Sequence, residues 1–93
     1  MLKRVELLTR AGCCLCHTAR AQLDAVRAGR PFDLVEIDID GATGPAPHYR
    51  AQHGLEIPVV RVDGEVIARL RLDDAALARL QQALSPTPRP GEA

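Results

Sequence analysis

In Val5-Glu6-Leu7-Leu8-Thr9-Arg10-Ala11-Gly12-Cys13-Cys14-Leu15-Cys16-His17 the spacing of apolar residues changes partway along. Over residues 3 to 8, Val5 and Leu7 fall on one side and Leu8, with Leu2, on the other, the pattern of a short strand covered on both faces. From Cys13 onward Leu15, Ala19, Leu23 and Val26 recur at helical steps, which predicts an amphipathic helix closed by Gly29 and Pro31. Residues 32 to 39 then alternate, Val35, Ile37 and Ile39 against Glu36, Asp38 and Asp40, as a half-exposed strand near a sheet edge does. Strand, helix and strand at this spacing form a βαβ unit with parallel strands and a right-handed crossover.

The remainder of the chain completes a layered α/β domain. Residues 41 to 47 read as a loop, and Pro47 suits the first turn of a short helix that carries Tyr49 and Ala51 inward and closes at Gly54. Val59-Val60-Arg61-Val62, the tight-turn dipeptide Asp63-Gly64, and Glu65-Val66-Ile67-Ala68 read as a β-hairpin. Asp73 or Asp74 caps a last helix whose Leu77, Leu80 and Leu84 face the core. The expected order is βαβαββα, a four-stranded mixed sheet flanked by helices. It occupies residues 1–84, and residues 85–93, with prolines at every second position from Pro86, are expected to be a flexible tail.

Composition narrows the function. Ninety-three residues allow one core, and twelve basic residues balance twelve acidic ones with no single-sign run, so no nucleic-acid partner and no membrane surface is expected. Phe32 and Tyr49 are the only aromatics, too few for base stacking. The N-terminal residues lack the apolar core of a secretory signal, and a cytoplasmic monomer is expected. The cysteines, Cys13, Cys14 and Cys16, are an odd number packed into four positions, which is a site and not a disulfide framework.

The site has a physical rationale. A Cys-x-x-Cys where a strand runs into a helix places the first sulfur at unsatisfied amide groups and the positive end of the macrodipole, which favour the thiolate. Cys13 is therefore the expected nucleophile, with Arg10 able to add positive charge, and Cys16, one turn in and more shielded, the residue that resolves a mixed disulfide. Cys14 is rotated by about 100° from Cys13 and reads as a bystander. His17 is a secondary candidate for tuning the thiolate, against the plainer reading of a solvated surface histidine.

Thr9-Arg10-Ala11-Gly12-Cys13-Cys14-Leu15-Cys16 followed by an amphipathic helix resembles the active-site segment of glutaredoxins and their bacterial glutaredoxin-like relatives. Ile57-Pro58-Val59-Val60 and Val62-Asp63-Gly64-Glu65 resemble the cis-proline segment and hairpin of the thioredoxin superfamily, so the likeness spans residues 2 to 84. It implies a thioredoxin-like fold, a cis bond before Pro58, a backbone at Ile57 that pairs with an extended substrate, and thiol-disulfide exchange through Cys13 and Cys16. The implied partners are a disulfide-containing protein or a low-molecular-weight thiol, with no metal or organic cofactor. The chain also departs from that pattern. Cys14-Leu15 stands where typical glutaredoxins carry proline and tyrosine, and Ala68-Arg69 replaces a Gly-Gly that lets glutathione approach, although Asp73-Asp74 follows. Arg10 and Arg50 could grip a carboxylate, but glutathione is expected to be a weak co-substrate or none.

Other chemistries fit the same residues. Cys13-Cys14-Leu15-Cys16-His17 satisfies the c-type haem attachment sequence, but without an aromatic-rich pocket or a second axial methionine. Cys13, Cys14, Cys16 and His17 offer zinc ligands, yet neighbours on one helical turn cannot surround an ion unless His48 or His53 approaches. An iron-sulfur cluster shared between two chains and a redox-inactive binding module built on the Pro58 groove remain as alternatives.

Overall fold

The computed structural model describes residues 2–42 and 44–84, so the expected tail over 85–93 lies outside the described residues. The elements follow the expected order: β1 (Arg4–Thr9), α1 (Cys14–Gly29), β2 (Asp33–Asp38), α2 (Ala46–His53), β3 (Val59–Val62), β4 (Glu65–Arg69) and α3 (Asp74–Leu84). The strands form one sheet in the order β2-β1-β3-β4. β1 runs parallel to β2 and antiparallel to β3, and β3 is antiparallel to β4. This is a thioredoxin-like α/β fold.

The two faces of the sheet are filled separately. Val5 and Leu7 of β1, Val60 and Val62 of β3, Ala19 and Leu23 of α1 and Leu80 and Leu84 of α3 belong to the larger core, with Phe32 buried among them. Each fully buried leucine contributes about 1.5–3 kcal/mol of apolar burial. On the opposite face Leu8, Ile39 and Val59 form a smaller cluster against which Tyr49 of α2 packs. The pairings Val60 with Ala68 and Arg61 with Val66 leave Ile67 extra on β4. That bulge turns the consecutive residues Ile67 and Ala68 toward the same core while Val66 faces the other. In the hairpin turn Asp63 and Gly64 both take positive φ, 49° and 88°, as a type I′ turn requires.

Three side chains differ from expectation. α1 buries Cys16, Ala19 and Leu23, so its apolar stripe passes through Cys16 and leaves Leu15 42 % exposed. Leu2 lies ahead of β1 and is exposed, having no neighbouring strand to cover it. In α2 it is Ala46 that is buried and Tyr49 half-buried, while Ala51, two residues past Tyr49 and therefore about 200° around the helix, faces solvent.

A buried polar cluster was not anticipated. Glu6 faces the α2 side of β1, opposite Arg61 of β3 in the register, and its carboxylate pairs with that guanidinium at 3.2 Å. Arg61 also donates to the Tyr49 hydroxyl and sits 4.7 Å from the ring centroid. The alternation of β1 reveals which face Glu6 takes, but its partner follows only from strand register. No helix among the described residues is long and apolar enough to cross a membrane.

Candidate active site

β1 ends at Thr9 and the chain turns through Gly12, whose φ of +76° is a conformation that side chains other than glycine rarely adopt. The turn delivers Cys13 in an extended conformation to the N-cap of α1, the place usually held by serine, threonine, aspartate or asparagine. Its sulfur takes the capping role, accepting the Cys16 backbone N–H at 3.2 Å, while the His17 N–H donates to the Cys13 carbonyl at 3.2 Å. The first turn of α1 carries no acidic side chain, so nothing else there offsets the positive end of the helix.

Cys13 and Cys16 are joined as a disulfide with Cα atoms 5.2 Å apart. They differ in access: Cys13 is half-buried, whereas Cys16 is 4 % exposed because it lies on the buried stripe of α1. Cys14 is exposed and free, as its rotation from Cys13 predicts.

The Ile57-Pro58 bond is cis. Pairing of Leu8 with Val59 sets Pro58 at the end of the sheet from which β1 runs into the cysteine turn. Pro58 is buried, and Ile57 packs half-buried on the smaller core. The Leu70 N–H donates to both the Pro58 carbonyl, at 2.8 Å, and the Glu56 carbonyl, at 3.0 Å, fixing the segment after β4 beside the proline. Leu70 has a φ of +69° and is 48 % exposed. Nothing in the sequence marks it.

Arg10 is committed within the protein. Its Nε and Nη2 bond both carboxylate oxygens of Asp40 at 3.0 Å, and Nη1 reaches the Gly54 carbonyl at 3.4 Å. The guanidinium thus ties the start of the cysteine turn to the loops after β2 and α2. Arg50 similarly donates to the Ile39 carbonyl at 3.0 Å and the Gly41 carbonyl at 3.4 Å. Arg10 also borders a groove of about 460 Å³ that includes Gly12, Cys16, His17 and Arg20. Within that groove Arg20 pairs with Glu36 and Asp24, which hold its proton more firmly than usual.

Two further contacts frame the cis-proline end. Glu56 bonds His53 Nδ1 at 3.1 Å and Arg69 Nε at 3.2 Å. The His53 hydrogen bond, aided by Arg69 and opposed by desolvation, lowers the Glu56 carboxyl below its ordinary range. Asp73 is the cap of α3, its Oδ1 accepting the Ala76 N–H at 2.8 Å. Among the described residues no three His, Cys, Asp or Glu side chains gather into a metal-binding group.

The fold, with a bonded cysteine pair at the mouth of α1, defines a glutaredoxin-like protein of the thioredoxin superfamily. The family described as "Glutaredoxin-like domain (DUF836)" matches residues 4–84, and the chain belongs to it. It is 39 % identical over 75 residues to the uncharacterized proteins Mb0520 of Mycobacterium bovis and Rv0508 of Mycobacterium tuberculosis, covering 80 % of this chain and 77 % of theirs. The solution NMR structure of protein Ne2328 from Nitrosomonas europaea superposes with a TM-score of 0.71 at 22 % identity, over 86 % of this chain and 92 % of that one, a likeness of fold. A glutaredoxin-like domain with this pair at bonding distance fits a redox role.

Proposed function

We infer that the protein is a dithiol thiol-disulfide oxidoreductase. The observation that carries this reading is the Cys13 sulfur at the N-cap, accepting an amide hydrogen bond from the residue with which it forms a disulfide. In the reduced protein the same amide and the helix dipole favour thiolate at Cys13. That thiolate attacks a substrate disulfide, one substrate thiol leaves, and Cys16 displaces the other, leaving Cys13 and Cys16 oxidised. The difference in burial supports this division, since the attacking sulfur must meet a foreign disulfide and the resolving one need only reach its neighbour.

Pro58 and the Ile57 backbone serve as the substrate-binding edge in this proposal. Arg10 borders the site through its groove and contributes to substrate binding from its place beside Asp40. The exchange consumes only thiols and disulfides, so it requires no metal or organic cofactor. The partners are a disulfide-containing protein or a low-molecular-weight thiol, with glutathione at most a weak co-substrate, and the protein works as a monomer in the cytoplasm.

The test is a cysteine series on a mixed-disulfide substrate. Cys13→Ser is expected to abolish turnover, Cys16→Ser to accumulate a covalent adduct visible by mass, and Cys14→Ser to change the rate by less than about threefold. Turnover retained by Cys13→Ser overturns the assignment.

A further inference from the structure

A second groove, of about 400 Å³, begins at Leu15, inside the cysteine turn, and is walled by Thr18 and Gln22 of α1 and by residues 70–73. Most of its polar atoms are spent within the protein. Gln22 Nε2 donates to the Leu72 carbonyl at 2.8 Å, the Thr18 hydroxyl to the Cys14 carbonyl at 3.3 Å, and Asp73 Oδ1 caps α3. What remains for a ligand is the exposed side chains of Leu15 and Leu70, with the Arg71 guanidinium, which has no ion-pair partner among the described residues. Leu70 is notable because its main chain is pinned to Glu56 and Pro58 in a left-handed conformation that costs a leucine and suits a glycine. Its side chain stays 48 % exposed, so packing within the fold accounts for it only in part.

We propose that Leu15, Leu70 and Arg71 select the substrate: an extended peptide disulfide whose cysteine is flanked by an apolar side chain, seated between the two leucines, and by a carboxylate, paired with Arg71. This rests on the exchange reading above and names its substrate class. The groove adjoins the exchange site at two points: Leu15 lies between the two cysteines in the chain, and the Leu70 N–H is bonded to the Pro58 carbonyl. Residues flanking a substrate cysteine bonded to Cys13 fall within its reach, at about 3.3–3.6 Å per extended residue. Glutathione brings carboxylates but no apolar side chain, and would leave both leucines uncovered. In the reaction the Cys13 thiolate displaces one cysteine thiolate of the peptide disulfide, which takes a proton from solvent. Cys16 then gives its proton to solvent and displaces the second. The peptide disulfide gains two electrons and the Cys13-Cys16 pair loses them.

The experiment uses pre-reduced full-length protein in single turnovers against disulfide dimers of two capped pentapeptides. One has its cysteine flanked by leucine and glutamate, the other by serine and glutamine, and hydroxyethyl disulfide is run beside them. Partial burial of one leucine and one screened ion pair predict a preference of about tenfold for the first peptide. Leu70→Gly, which fits the same φ, is expected to reduce that preference to about threefold or less, and Arg71→Gln to remove most of its salt dependence. Leu2→Ser, an exposed leucine ahead of the opposite end of β1, keeps the preference intact. Equal rates for the two peptides, or a preference that survives Leu70→Gly, overturn the proposal while reduction of hydroxyethyl disulfide leaves the exchange reading standing. Failure to reduce any of the disulfides overturns both.

Discussion

Replacing Arg61 by methionine tests whether the polar cluster on the α2 face holds that layer in place. Glu6 and Arg61 are 3.2 Å apart with side chains only 10 % and 17 % exposed. The remaining cation near Glu6 is Arg4, at 3.7 Å and 60 % exposed, a weak substitute. Stranding a buried charge costs about 3–5 kcal/mol, and the incomplete burial here brings the pair to about 2–3 kcal/mol. Loss of the cation over the Tyr49 ring adds about 0.5–1 kcal/mol, and methionine keeps much of the aliphatic packing. The sum, about 3 kcal/mol, is a large share of the stability of about 5–10 kcal/mol expected for a domain of this size. Urea unfolding of the oxidised protein at neutral pH, followed by far-UV circular dichroism, reads it directly. The companion variant Glu6→Gln/Arg61→Met removes the stranded charge and is expected to regain about half of the loss. An Arg61→Met cost below about 1 kcal/mol, or a double variant less stable than Arg61→Met alone, refutes the reasoning.

Asp73→Ala removes the cap of α3 and is expected to cost about 1 kcal/mol in the same unfolding assay, with Asp73→Asn recovering most of it; an unchanged midpoint counts against the cap. Because the Glu56 carboxyl is lowered in the folded protein, its contribution is complete above its unfolded value and disappears as pH falls through the folded one. The stability difference between wild type and Glu56→Gln is therefore expected to shrink as pH falls below about 5. A difference that grows toward acid reverses the sign and rejects the assignment.

Much of the architecture was readable because each element carried its own local signal. The period change at Cys13, the alternation over β2, and the Asp63-Gly64 turn appear in the structure where the sequence places them. The phase of α1 was harder. Stripes through Leu15 or Cys16 both continue to Ala19 and Leu23, and an apolarity pattern treats leucine as the better core residue. Burial goes to Cys16 because the N-cap at Cys13 sets the helix phase, leaving Leu15 at the groove. The cis bond at Pro58 came from resemblance, since proline alone favours trans. Contacts across long separations were not legible: Arg10 with Asp40, Glu6 with Arg61, and the Leu70 amide with Pro58 all depend on how loops and strands are brought together.

The placement of α3 has a practical corollary for protein engineering. The helix starts after residues that wall the groove at Leu15 and finishes with Gln82 and Ala83 bordering the same hollow as Lys3. The start of the first strand and the end of the last helix thus meet at the pole remote from the sulfurs. A fluorescent reporter or a surface tether attached through a side chain beside Lys3 or Gln82 would leave the cysteine pole facing outward.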